Sequence, residues 1–270
     1  MTEARMQETP QYAPGTFCWV ELGTSDGEGA KKFYTELFGW DYTDNPIGPG
    51  MVYTMLKQDG KDVGALYQLS PEMIGQGIPP HWLSYVSVTS ADETAAKVKE
   101  AGGTLRKEAF DVFDVGRMAV VQDPTGAVFA LWQPRKHQGA GIVNVPNSLV
   151  WNELATTDLV KADDFYTRLF AWTKDVQQFG SMEYTIFKNG DRGAGGMFKI
   201  TPEMGNIPPH WLVYFAVADC DATVEKATSL GARAMKSAED IPGVGRFAVL
   251  LDPQGAAFAI IKTNPSTQQT

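Results

Sequence analysis

The sequence predicts an α+β chain built as two tandem copies of one domain, 16–134 and 148–262, joined by a linker at 135–147. Three observations predict it. First, Trp19-Val-Glu21-Leu returns as Trp151-Asn-Glu153-Leu, 132 residues later, and the likeness continues to the end of each copy. Second, each copy opens with a strand-like stretch, then an amphipathic helix, then further strands. Third, that run occurs twice per copy, so a βαβββ unit occurs four times. A repeat of this length is a duplicated domain rather than a solenoid unit.

The elements follow in order. Thr16 to Gly23 has the apolar, β-favouring character of a strand. Asp26 can cap a helix whose apolar positions Ala30, Phe33, Tyr34, Leu37 and Phe38 fall on one stripe, which marks them as core. A short strand is expected around Trp40–Thr43. Met51 to Lys57 and Asp62 to Leu69 form a hairpin about Asp59-Gly60. After Pro79-Pro80 the second unit starts, with a strand from Trp82 to Thr89. Ser90-x-x-Glu93 is a capping box opening a helix that ends at Gly102. Thr104 to Asp111, Arg117 to Gln122 and Ala127 to Gln133 are three more strands, the last two joined by the turn Asp123-Pro-Thr-Gly126. The second copy repeats the pattern through Phe165-Tyr166, Leu169-Phe170, Ile207-Pro-Pro-His210-Trp211 and Asp252-Pro253. The linker carries Gly139, Gly141 and Pro146.

Composition excludes several classes. Apolar residues make up 43% of the 270, enough for a sizeable core, while a formal charge of −9 argues against a nucleic-acid partner. No apolar run reaches the roughly 18–20 residues of a membrane span, and residues 1–15 lack the apolar core of a signal peptide. Two isolated cysteines, Cys18 and Cys220, read as buried thiols in a reducing compartment, so a cytoplasmic location is expected. No phosphate loop, dinucleotide fingerprint, zinc-protease helix or nucleophile elbow is present.

The strand ending near Asp26, the helix with Phe33-Tyr34 and Leu37-Phe38-Gly39, and the Asp-Pro-x-Gly turn before a final strand resemble the vicinal oxygen chelate superfamily. That family holds glyoxalases, bleomycin-resistance proteins and extradiol dioxygenases. The tandem layout looks most like two-domain glyoxalase-like proteins. The resemblance implies that two βαβββ units curl an eight-stranded mixed sheet into a cup for the ligand. It leaves open whether units pair within a copy or between copies. The family's metal enzymes set His, Gln or Glu ligands at fixed cup positions. Here the first-strand position falls on Trp19 and Trp151, its equivalent in the next unit on Leu83 and Leu212, and the last-strand glutamate on Ala130 and Ala259. None coordinates a cation, so no metal or other cofactor is expected unless an atypical divalent site exists.

Strand alternation then nominates a site. Counting by two from those positions, Glu21 and Glu153 face the cups with Tyr85 and Tyr214. Tyr53 and Tyr184 recur in the hairpins, and Trp19, Trp82, Trp132 and Trp151 offer rings for a planar ligand. Each glutamate is a candidate general base or ligand grip, or else a structural partner of Arg117 or Arg246. His81 and His210 read as loop-pinning residues, and His137 is given no role. The expected function is small-molecule binding in aromatic cups, as in the bleomycin-resistance branch. The alternative is a lyase, dioxygenase or hydroxylase using Glu21 and Glu153 or an atypical metal set. The only partner expected is a small molecule, with the chain a monomer of two pseudo-equivalent domains or a homodimer.

Overall fold

The computed structural model describes residues 12–179 and 182–264. The first half runs β1 (Phe17–Thr24), α1 (Gly27–Phe38), β2 (Asp41–Gly48), β3 (Met51–Gln58), β4 (Lys61–Gln68), a one-turn α2 (Pro71–Gly75), β5 (His81–Ser87), α3 (Ala91–Glu100), β6 (Thr104–Val112), β7 (Gly116–Gln122) and β8 (Val128–Pro134). The second half repeats it as β9 (Leu149–Thr156), α4 (Leu159–Phe170), β10 (Thr173–Phe179), β11 (Met182–Asn189), β12 (Arg192–Lys199), β13 (His210–Ala216), α5 (Cys220–Ser229), β14 (Arg233–Ile241), β15 (Gly245–Leu251) and β16 (Ala257–Thr263). A 3-10 turn at Pro202–Met204 stands where α2 stood. The second strand is longer than expected. It lies at a sheet edge with its side chains exposed, so no apolar alternation marked its length.

Each half closes its own eight-stranded mixed sheet, ordered β2-β3-β4-β1-β5-β8-β7-β6 and β10-β11-β12-β9-β13-β16-β15-β14. The βαβββ units therefore pair within a copy. The paired first strands run antiparallel at the centre, β1 on β5 and β9 on β13, and each takes a parallel neighbour on its other side. No helix among the described residues is long and apolar enough to cross a membrane.

Helices α1 and α4 pack against both halves. The predicted stripe Phe33, Tyr34, Leu37 and Phe38 is buried in one cluster with Val213, Phe215, Leu250 and Phe258 of the second half. Phe165, Tyr166 and Leu169 are buried with Val86, Phe129 and Leu131 of the first. Polar links follow the same symmetry. Tyr34 donates to the Asp252 carboxylate at 3.0 Å and accepts from the Trp82 indole at 2.9 Å. Tyr166 donates to Asp123 at 3.0 Å and accepts from Trp211 at 2.8 Å. The same aspartates fold their turns: Asp123 Oδ1 accepts from the backbone N–H of Thr125, Gly126 and Ala127. The Asp-Pro-x-Gly motif thus shapes a turn and latches the opposite half. Trp82 is corrected by this arrangement. It neighbours the cup-facing Leu83, so strand alternation turns it to the helix side, where it is buried.

Candidate ligand-binding cups

The faces turned away from the helices form the two cups. In the first, Trp19 lies opposite Tyr85 and Glu21 opposite Leu83 across β1–β5, while Glu21 also pairs with Ala65 of β4 and Tyr85 with Ala130 of β8. Directly paired residues share a face. Trp19, Tyr85, Leu83, Ala130, Trp132, Met118 and Ala65 accordingly form one buried cluster, with Tyr53 packed against it. A β-bulge between Phe17 and Trp19 sets the register in which Trp19 and Glu21 point inward.

Glu21 sits at the centre of a chain of donors. Its Oε1 accepts from the Tyr85 hydroxyl at 2.6 Å and its Oε2 from the Tyr53 hydroxyl at 2.8 Å. The Trp19 indole N–H donates to Tyr53 at 3.3 Å. Burial raises the proton affinity of Glu21, and the two tyrosine hydrogen bonds oppose that rise. Burial, with the carboxylate beside them, pushes both tyrosines well above the usual phenol range. Toward Glu21 both tyrosines donate, Tyr53 while also accepting from Trp19, and both carboxylate oxygens keep a second lone pair.

The second cup repeats the network atom for atom. Glu153 accepts from Tyr214 at 2.6 Å and Tyr184 at 2.8 Å, and Trp151 donates to Tyr184 at 3.1 Å. Burial again raises the glutamate, with the Lys236 ammonium among the opposing influences. Neither glutamate has the arginine partner that was its bland alternative. Arg117 pairs with Asp92 and Asp111, and Arg246 with Asp221 and Asp240, all on the outer surface.

His81 and His210 each hold Nδ1 at 2.8 Å from the carbonyl of the proline two residues before, a loop-pinning contact, and burial lowers their pKa. His137 was passed over, yet its ring stands edge-on to Trp19 at 4.5 Å between centroids and its carbonyl accepts from the Trp132 indole. Also missed were Met118 and its counterpart Phe247, Tyr67, which senses the Glu21 charge, and Lys236, whose Nζ lies 4.9 Å over Phe247. Tyr67 was within reach, being two residues after the cup-facing Ala65 on β4. The positions where the family resemblance puts metal ligands carry indole, isobutyl and methyl groups. Among the described residues no three His, Cys, Asp or Glu side chains come together.

The sequence matches the Glyoxalase/Bleomycin resistance protein/Dioxygenase superfamily over residues 16–131 and again over 148–260. It is 44% identical over 262 residues to the glyoxylase-named protein CFP32 of Mycobacterium tuberculosis, covering 96% of this chain and 99% of that one. It is 36% identical over 267 residues to the anthracycline biosynthesis protein DnrV of Streptomyces peucetius, covering 93% and 94%. Among solved structures, the Mn(II)-bound glyoxalase of Novosphingobium aromaticivorans superposes with a TM-score of 0.65 at 15% identity, covering 92% of this chain and 82% of that one. The 2,2',3-trihydroxybiphenyl 1,2-dioxygenase of Sphingomonas wittichii gives 0.64 at 11%, covering 93% and 92%, so both share the fold. Two matched segments, two cupped sheets and relatives aligned over nearly their whole length agree: the chain belongs to the Glyoxalase/Bleomycin resistance protein/Dioxygenase superfamily.

Proposed function

We propose that this protein binds a small organic molecule in its cups, and that it does so without a metal at the position used by the family's metal enzymes. The observation that carries this reading is the Glu–Tyr–Tyr–Trp network set on an aromatic floor. Trp19, Leu83 and Ala130, like Trp151, Leu212 and Ala259, have no lone pair to give a cation. One glutamate per cup falls short of the three or four donors a divalent ion needs. A largely apolar compound with a hydroxyl group fits the chemistry instead. Its rings would take up apolar area against indole and phenyl faces, and its hydroxyl would donate to a remaining carboxylate lone pair. The name of DnrV supports the class, since anthracyclines are flat, hydroxylated ring systems.

The test is calorimetric titration of the intact protein with 2-naphthol, a planar phenol. Saturable binding is expected, weakened when glutamate is replaced by glutamine. A flat titration overturns the reading. A second reading, metal-free proton transfer by the glutamate, is favoured by the raised proton affinity of the buried carboxyl and by the glyoxylase name of CFP32. Exchange of a carbonyl compound's α-hydrogen for deuterium, lost in Glu153→Gln, would support it.

A further inference from the structure

We propose that the two cups have parted company: the second is the ligand site, for a planar aromatic bearing a phenolic hydroxyl, and the first is plugged by the chain's own linker. The proposal rests on the binding reading above and says which cup carries it.

The plug is visible in the backbone. After β8 the chain turns back across the first cup. Ala140 N–H donates to the Cys18 carbonyl at 2.8 Å and Gly141 N–H to the Asp62 carbonyl at 2.7 Å, tying the strap to the starts of β1 and β4. Tyr12 fastens it from the other side through the Ala140 carbonyl. Ala140 is wholly buried within the cup cluster, and His137 covers the edge of Trp19. The strap needs glycine at 139. That residue has φ +126, and a Cβ there would lie 2.4 Å from the Cys18 oxygen.

In the second copy the repeat offset of 129 sets Gln268, outside the described residues, in place of Gly139, the glycine whose missing side chain lets the strap approach the Cys18 carbonyl. Gly193 lies under the Trp151 ring and Gly196 under the Tyr184 hydroxyl, each so close that a Cβ would collide. The indole of Trp132 is replaced by the smaller Ile261. The exposures agree. Of the seven tryptophans six are buried, none above 6%, and Trp151 alone is partly exposed. The two glutamates do not differ in this way: burial raises the proton affinity of both. A ligand thus finds a partly exposed indole in the second cup and none in the first.

The cup wall defines the occupant. Trp151 presents its partly exposed ring, and Glu153 supplies the acceptor. Lys236, ion-paired with Glu239, stands over Phe247 at the cup wall, a cation suited to an electron-rich ring. A flat phenol satisfies all three.

The experiment pairs two measurements on the whole protein with 2-naphthol as the probe. Calorimetry gives the stoichiometry, and the tryptophan indole N–H signals in a nitrogen–proton correlation spectrum give the place, assigned by Trp151→Phe and Trp19→Phe. The expected result is one molecule per chain, a shift of the Trp151 signal with those of Trp19 and Trp132 unmoved, and at least a tenfold loss of affinity in Glu153→Gln. Two molecules per chain, or a shift of Trp19 or Trp132, would overturn the assignment while leaving cup binding intact. No binding, or binding that moves none of the three, would overturn both. The mapping is made on the unaltered protein, so it decides the matter even if the glutamate variant fails to fold.

Discussion

The two cups share a network and differ in what surrounds it. Around Glu21 the neighbours are Trp19, Trp132, His137 and a strap of linker, all packed shut. Around Glu153 they are a partly exposed Trp151, a glycine-cleared floor and Lys236. Keeping an identical hydrogen-bonded centre while changing its rim shows that the Glu–Tyr–Tyr triad also serves the fold. It ties β1 to β3 and β5 in the first half and β9 to β11 and β13 in the second.

The sharpest way to break the comparison is to delete the matching indoles. Trp19→Ala should cost about 3–5 kcal/mol of stability, the usual range for a fully buried large ring, and Trp151→Ala markedly less, both read by urea unfolding. Equal losses would mean that the cups are packed alike. The latches should behave the other way, symmetrically. Asp123→Ala and Asp252→Ala each remove a turn-folding carboxylate and strand a buried tyrosine, at about 3 kcal/mol apiece. A twofold disparity between them would show that the halves are not held equivalently.

Gly139→Ala addresses the strap alone. A side chain at that φ, against the Cys18 carbonyl, should cost about 1–3 kcal/mol and expose Trp19 to collisional quenching by acrylamide. Unchanged quenching would mean that the strap is not what covers the ring. The smallest effect is electrostatic. Glu21 has a raised folded-state pKa, so its contribution is fully present below the ordinary carboxylate range and is lost as pH rises through the raised value. Glu21→Gln should therefore flatten the stability profile above that range and converge with the parent protein in acid. Burial raises Glu153 in the same way, so Glu153→Gln should flatten the profile likewise. Thermal unfolding across pH 4–8 checks both, a window chosen about ordinary carboxylate values.

Much of this was legible in the chain. The repeat and the Ala30–Phe38 stripe gave the duplication and the buried helix faces, and alternation from Trp19 set Glu21 and Tyr85 on one face. What covers a buried face is not written in its periodicity. The stripe of α1 shows that Phe33 and Phe38 are buried but not that Phe215 and Phe258 of the other half cover them. Trp82 was grouped with the cup because it is aromatic, although its place beside Leu83 already assigned it to the opposite side. The strap escaped notice because a linker has no period, and only the close approach at Gly139 reveals its purpose.

The latches carry a longer consequence. Tyr34 reaches an aspartate of the second half, and Asp123 in its own half is that aspartate's counterpart in the repeat. A half expressed alone would find its missing partner in a second copy of itself, so this chain has the geometry of a symmetric dimer whose subunits were fused. In such a dimer every substitution strikes both cups at once. Fusion removes that bond between them: a residue can change at 193 without changing at 62. One descendant cup can then be sealed for stability while its sister stays open.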